Sequence, residues 1–425
     1  MVKVQSLAVT VLGRVFSGAS LTEVLQETWR SNPLLTPQQR GAIQDLTYGA
    51  LRYYGQLDAI LNLLLAKALH DLNLRYLLLI NLYQLHYSKA PPYAIVDHAV
   101  TTARLLSEKR GAPGLVNAIL RNFLRRSTAL WGEAERDDVG KYSHPQWWID
   151  KLRKQYPEHY EAILNADNQH PCMTLRVNTR KIEVAAYQKM LDEHGIGAGW
   201  VWGSALKLVQ PLPIERLPGF SEGLVSVQDA GAQLAAPFLD IQDGMHVLDA
   251  CAAPGGKSAH LMELAKIRLT ALDSDVQRLT RVIDNFARLG NKPDRVICGN
   301  ALHPAEWWDG ELFDRILADV PCSASGVVSR HPDIKWLRRL TDVTVFADNQ
   351  EKILETLWRL LKRGGKLLYI TCSVFKEENG QLIKRFLQKQ SDAYLLPLSH
   401  PAMDQGQLLP NASYNGFFYA LFGKR

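Results

Sequence analysis

At 425 residues, with 47% hydrophobic and 22% charged side chains, the chain has the composition of a folded protein too long for one ordinary domain. No apolar run approaches the roughly 18 residues of a membrane span, and the apolar N-terminus, interrupted by Arg14, reads as an amphipathic helix and not as a signal peptide. The net charge of +6 is uneven: residues 1–130 hold 14 Lys/Arg against 7 Asp/Glu, the rest is near neutral, and a basic segment of this kind suits an anionic partner, nucleic acid above all.

Residues 1–130 read as helices, with apolar positions recurring three and four apart through Leu46, Leu57, Ile60, Leu61 and Leu64. Further helical segments are expected at 74–87, 94–106 and 114–126, the last ending in Arg121, Arg125 and Arg126. Pro91-Pro92 and GAPG at 111–114 read as loops between them, and the polar run WGEAERDDVG (131–140) reads as a linker. Residues 142–235 change character. Two short helices come first, then strand-like TLRVNT (174–179) and ALKLVQ (205–210) with a helix at about 183–194 between them, a small α+β unit. From 245 onward short apolar strands alternate with helices: MHVLDA, RLTALD, RVICG, DRILAD and KLLYITCS. Such βα repeats imply a parallel sheet covered on both faces, which binds ligands at the carboxyl ends of its strands.

The turn in VLDACAAPGGKSAH (247–260) follows the first of these strands and opens a helix near Lys257. It is not a P-loop, because Cys251 stands where that motif needs its first glycine, and it lacks the G-x-G-x-x-G of dinucleotide sites. Asp273 ends the next strand, 24 residues after Asp249, where an acid accepts from both ribose hydroxyls. Turn and acid together point to S-adenosyl-L-methionine. Taken alone, Asp273 is equally well a helix cap.

The five cysteines (Cys172, Cys251, Cys298, Cys322 and Cys372) include no C-x-x-C pair, which disfavours disulfides and any metal site and fits a reducing cytoplasm. Two stand at strand ends: Cys322 in LADVPCSASG, three residues after Asp319, and Cys372 in YITCSV. Methylating carbon 5 of cytosine needs this set of groups. The carbon is a poor nucleophile until a thiolate adds to carbon 6, an acid near ring nitrogen 3 assists the addition, and a base then removes the carbon 5 proton. Transfer to an exocyclic amine instead uses Asp/Asn-Pro-Pro-aromatic and no thiol; Cys322 and Cys372 argue against it. A non-catalytic RNA-binding factor on a dead methyltransferase fold is disfavoured by the intact Asp319, Cys322 and Cys372. On chemistry alone, which cysteine attacks stays open.

DACAAPGGK, LDSD, DVPCSASG, RHPDIKW and ITCSV, in this order, resemble the RNA 5-methylcytosine methyltransferases, and the basic helical front end resembles NusB, an RNA-binding helical fold. The resemblance covers nearly the whole chain. It implies a NusB-like all-α domain over 1–135, a small α+β RNA-binding or linking domain over 142–235, and a Rossmann-like class I methyltransferase domain over 236–425. It implies S-adenosyl-L-methionine as cofactor, with Cys251, Ala252, Ala253, Pro254, Gly255, Gly256 and Lys257 around its methionine part and Asp273 on its ribose. Asp319 would lie between cofactor and base. Cys372, in the TCS motif, would be the nucleophile, and Cys322 would assist product release. The family usually carries an aspartate toward the adenine amino group after the third strand; here Asn300 stands there, whose side-chain oxygen can still accept. The implied partner is small-subunit (16S) ribosomal RNA with an unpaired or flipped-out cytosine, since carbon 6 is shielded in a duplex. A cytoplasmic monomer is expected. The basic RHPDIKWLRR (330–339) reads as a further RNA contact, through phosphates and a stacked base.

Overall fold

The structure, a computed structural model, describes residues 1–425 and falls into two compact units: residues 1–169 with 328–340, and residues 170–327 with 341–425.

In the first unit, helices Val2–Phe16, Leu21–Ser31, Pro37–Arg52, Tyr54–Leu64, Leu72–Tyr87, Pro92–Leu106 and Ala112–Ala134 share one apolar core. Leu72–Tyr87 is apolar on every side, and such a helix must be wrapped by others. Its fully buried Asn81 is satisfied: Oδ1 accepts from Gln5 Nε2 at 2.9 Å and Nδ2 donates to the Leu77 carbonyl at 2.7 Å.

Two expectations need correction here. The segment 131–140 is no linker, because Ala112–Ala134 runs on through buried Leu130 and Ala134, and helix Asp138–Tyr142, capped by Asp137, follows. Pro92 and Pro113 open helices instead of separating them; in the first turn a proline lacks only a donor that would have no helical partner. By contacts, helices Gln146–Gln155 and Tyr160–Asp167 fall in the first compact unit.

The largest correction concerns Asp333, Lys335 and Trp336 in RHPDIKWLRR, whose His331 and Arg339 stay exposed. Lys335 is fully buried, with Nζ donating to the Arg52 carbonyl at 2.7 Å and to Asn168 Oδ1 at 2.8 Å. Trp336 Nε1 donates to the Leu51 carbonyl at 2.8 Å, and Asp333 Oδ2 accepts from the Leu21 N–H at 3.0 Å. These side chains fasten the segment to the helical core and cannot grip RNA from there. Burial pushes Lys335 well below the usual lysine range and raises the nearby buried Asp167 well above the carboxylate range. Lys335→Ala strands two acceptors and leaves a cavity, so it should destabilise this unit by about 2–4 kcal/mol. An unchanged urea midpoint would contradict the reading.

The second unit holds two sheets. The smaller is antiparallel, in the order β2-β3-β1-β4, from β1 (Thr174–Val177), β2 (Ala198–Trp202), β3 (Ala205–Leu208) and β4 (Val225–Val227). Tyr187 and Leu191 of helix Val184–Glu193 pack on its Leu175, Val177 and Leu206. The larger comprises β5 (His246–Asp249), β6 (Arg268–Asp273), β7 (Arg295–Cys298), β8 (Phe313–Asp319), β9 (Leu361–Thr371), β10 (Ala393–Leu396), β11 (Met403–Asp404), β12 (Gln407–Leu408) and β13 (Phe417–Lys424). Its order is β11-β12-β13-β9-β8-β5-β6-β7, with β10 also on β13.

Strands β5 to β9 are parallel, as the βα pattern implies. Alternate residues feed two separate cores: Val247, Leu317 and Ile370 pack with Leu261, Val282 and Phe286, whereas Leu248, Ile316 and Tyr369 pack with Leu354, Leu357 and Phe386. Both faces are therefore covered. The C-terminal strand β13 is antiparallel to β9, from Phe418 opposite Thr371 to Gly423 opposite Lys366, so the sheet is mixed. Because β5 to β9 run one way, Asp249, Asp273, Asp319 and the loop after Thr371 all emerge along one edge. No helix is long and apolar enough to cross a membrane.

Candidate active site

The turn between β5 and helix Gly256–Leu264 is held from two sides. The Ala252 N–H donates to the Leu272 carbonyl at 2.9 Å, and the Gly255 N–H donates to the Ala252 carbonyl at 2.7 Å. Gly255 sits at φ +93°, and a Cβ there would lie 3.2 Å from Val282 Cα, so only glycine fits without strain. Asp273 Oδ2 accepts from the Ala253 N–H at 3.0 Å and Oδ1 from the Asp275 N–H at 3.1 Å. Asp273 is not the cap of the following helix. That position belongs to Asp275, which accepts from the Gln277 and Arg278 N–H groups.

Asp249 is buried; Ser258 Oγ donates to its Oδ2 at 2.5 Å, and its Oδ1 meets no hydrogen-bond donor. Burial pushes its carboxyl up to about 7. An unfilled buried acceptor beside Cys251–Lys257, with Asp273 one strand away, fits a cofactor that carries an ammonium group and ribose hydroxyls. Burial likewise pushes the Cys251 thiol far up, so it is inert and acts as part of the turn's lining. Asn300, two residues beyond β7, is exposed; its Oδ1 accepts from the Leu302 N–H at 2.9 Å and retains a second lone pair for a ligand. Asp273→Ala removes a tether of the turn, where Oδ2 accepts from the Ala253 N–H. It should weaken S-adenosyl-L-methionine binding by about 10- to 100-fold, read by calorimetry.

Asp319 ends β8, and Lys257 Nζ donates to its Oδ2 at 2.5 Å. Burial drives the Lys257 ammonium down, but the Asp319 charge and hydrogen bond outweigh it and leave the lysine raised and charged. Strands β8 and β9 are neighbours with Asp319 opposite Ile370, so the loops that follow them meet. There Cys322 Sγ and Cys372 Sγ lie 3.3 Å apart. The hydrogen bond to the Cys372 sulfur and burial push Cys322 well above the usual thiol range. Cys322 is 9% exposed, whereas Cys372 is partly open. Lys257 is near enough to Cys372 for their charges to interact. The structure thus joins Lys257, Asp319, Cys322 and Cys372 in one place, and leaves Cys298 exposed beside the Ser274 carbonyl.

Sequence reasoning missed the supports of this edge. Arg176, fully buried on β1, grips Glu263 with two hydrogen bonds of 2.9 and 2.7 Å and donates to the Gly256 carbonyl at 2.7 Å. It thereby steadies the first residue of the helix behind the cofactor turn. Glu378, Gln350, Ser323 and Ser373 form a buried polar group under the cysteine loops. The one available signal was the serine that follows each cysteine.

Comparison with known proteins agrees with this geometry. Residues 236–423 match the family model of the 16S rRNA methyltransferase RsmB/F, residues 144–215 the RsmF/B-like ferredoxin-like domain, and residues 2–125 the NusB family. Ribosomal RNA small subunit methyltransferase B of Vibrio cholerae serotype O1 is 41% identical over 432 residues, covering 100% of this chain and 98% of that protein. The crystal structure of PH0851 superposes with a TM-score of 0.79 at 26% identity, covering 99% of this chain and 98% of the other. A methyltransferase homologue from Pyrococcus horikoshii gives a TM-score of 0.60 at 29% identity, over 68% of this chain and 97% of the other. The chain belongs to the 16S rRNA methyltransferase RsmB/F family, with a NusB domain in front and S-adenosyl-L-methionine as its methyl donor.

Proposed function

We propose that the protein methylates carbon 5 of a cytosine in 16S ribosomal RNA through a covalent adduct between Cys372 and carbon 6. What supports this most is the pair of sulfurs 3.3 Å apart at neighbouring strand ends, beside an Asp319 held by Lys257. Cys372 is the more open of the two and attacks; its sulfur bonds to carbon 6, and the carbon 5–carbon 6 double bond gives up its π pair. Asp319 faces the Watson–Crick edge, accepting from the cytosine amino group as a carboxylate and donating to ring nitrogen 3 when protonated. S-adenosyl-L-methionine supplies the electrophilic methyl group.

Cys322 assists the last stage: its thiol proton passes to the departing Cys372 sulfur 3.3 Å away, the thiolate so formed takes the carbon 5 proton, and the double bond re-forms. Asp249, Asp273 and Asn300 hold the cofactor with the turn Cys251–Lys257. Residues 1–135 and 142–235 handle the RNA, residues 236–425 carry the transfer, and the cytosine is presented unpaired or flipped out to a monomeric enzyme.

Bisulfite mapping of 16S rRNA from cells lacking the protein tests this reading. One cytosine should lose its methyl group, regain it with the wild-type gene, and stay unmethylated with Cys372→Ala. A 16S rRNA whose 5-methylcytosines are all unchanged would overturn it.

A further inference from the structure

One buried carboxylate underlies both cysteine loops, and the chemistry above does not use it. Glu378 is fully buried. Its Oε1 accepts from the Ser323 N–H at 2.8 Å and from Gln350 Nε2 at 3.0 Å. Its Oε2 accepts from Ser323 Oγ and from Ser373 Oγ, each at 2.5 Å. Ser323 follows Cys322 in the chain and Ser373 follows Cys372, so each cysteine is one residue from this carboxylate. The same Gln350 amide also donates to the carbonyl of Pro321, the residue before Cys322, at 2.9 Å.

Four donors converging on two oxygens need an acceptor-only group, and an ionised carboxyl is the side chain that provides one. Left without them, a buried carboxylate would cost several kcal/mol. Between the loops, the Gly326 N–H donates to the Cys372 carbonyl at 2.8 Å, and Ala324 is held at φ +61°. A non-glycine residue in that region persists only where its surroundings fix it. Glu378 is the one group bonded to both loops through charge-assisted hydrogen bonds.

We propose that Glu378 is a positioning residue for methyl transfer: it sets the Cys322 and Cys372 loops in one register and so fixes the distance and direction between the two sulfurs. This rests on the reading of both cysteines as reacting groups. Glu378→Ala removes the acceptor that all four donors share and leaves the loops joined only by the bonds between them, such as the Val374 N–H to Ser325 Oγ at 2.9 Å. Glu378→Gln keeps the shape, since its carbonyl can take the two N–H donors and the serine hydroxyls can rotate to accept from its amide.

Two measurements separate positioning from general stability: single-turnover methyl transfer at saturating cofactor, and the rate at which diamide links Cys322 to Cys372. Diamide takes up the two thiol hydrogens, becoming the hydrazine as the S–S bond forms, so its rate reports how the sulfurs meet. Glu378→Ala should slow methyl transfer by about 100-fold, the scale of a small misplacement of reacting groups, and should slow the cross-link at least about tenfold. S-adenosyl-L-methionine affinity should change less than about twofold, because the cofactor contacts are separate. Glu378→Gln should restore most of both rates. If Glu378→Ala fails to fold, Ser323→Ala with Ser373→Ala frees both loops from an intact Glu378 and should show the same two losses. Wild-type cross-linking and transfer in whichever variant folds would overturn the proposal. If Cys372→Ala itself methylates normally, the thiol reading fails, while the cross-link still reports on the loops.

Discussion

Cys372→Ala should lose methyl transfer by about 10⁴-fold or more, the scale seen when an enzyme's nucleophile is removed, while cofactor affinity and fold are kept. Carbon 5 of cytosine has no useful nucleophilicity until something adds at carbon 6, so no slower route through the same site remains. Cys322 does not serve as a spare. Cys322 is only 9% exposed, and the neighbouring sulfur and burial hold it as a thiol. Incorporation of labelled methyl groups into 16S rRNA measures the loss; a residue of more than about one part in a hundred would mean that a second group attacks.

Asp319→Ala should lower kcat by about 10³-fold, within the range of general acid–base groups. The change removes the group proposed to face the cytosine edge, and it leaves the largely buried Lys257 ammonium without its anion. Asp319→Asn, which keeps an oxygen for the cytosine amino group but cannot give a proton to nitrogen 3, should fall between the two. Equal rates for Asp319→Ala and the wild type would remove Asp319 from the reaction.

The strand ends that form the candidate edge were legible because they carry a plain local signal. A short apolar run closing on Asp249, Asp273, Asp319 or Thr371 fixes both a strand and the side of the sheet on which it opens, and parallel topology then collects these residues on one edge. The turn at 251–257 was legible for the same reason, through Gly255 and the helix that starts at Gly256. The choice of Cys372 as nucleophile came from family resemblance, and burial adds a physical argument that spacing could not supply.

What was not legible depended on partners far away in the chain. Lys335 looks like a surface cation, yet carbonyl oxygens 283 and 167 residues away satisfy its ammonium; no local pattern encodes that pairing. Glu378, in the polar run KEENG, looks solvated for the same reason. Strand β13 follows β10, β11 and β12 with no helix between them, and its apolar, two-faced sequence fits either direction, so its antiparallel place beside β9 could not be read locally. The segment 131–140 was misjudged because its polar residues face water along a continuing helix, where charge is neutral to helix formation.

The central claim, a covalent adduct through Cys372, is tested most directly by trapping it. Cys322→Ala leaves attack and methyl transfer intact but impairs the elimination that frees the product. Incubated with S-adenosyl-L-methionine and substrate RNA, this variant should give a slow band on a denaturing gel, with RNA joined to the peptide that contains Cys372. The double variant lacking both sulfurs should give none. A band from Cys372→Ala and not from Cys322→Ala would exchange the two roles; no band from either, with both methylating normally, would contradict the thiol mechanism.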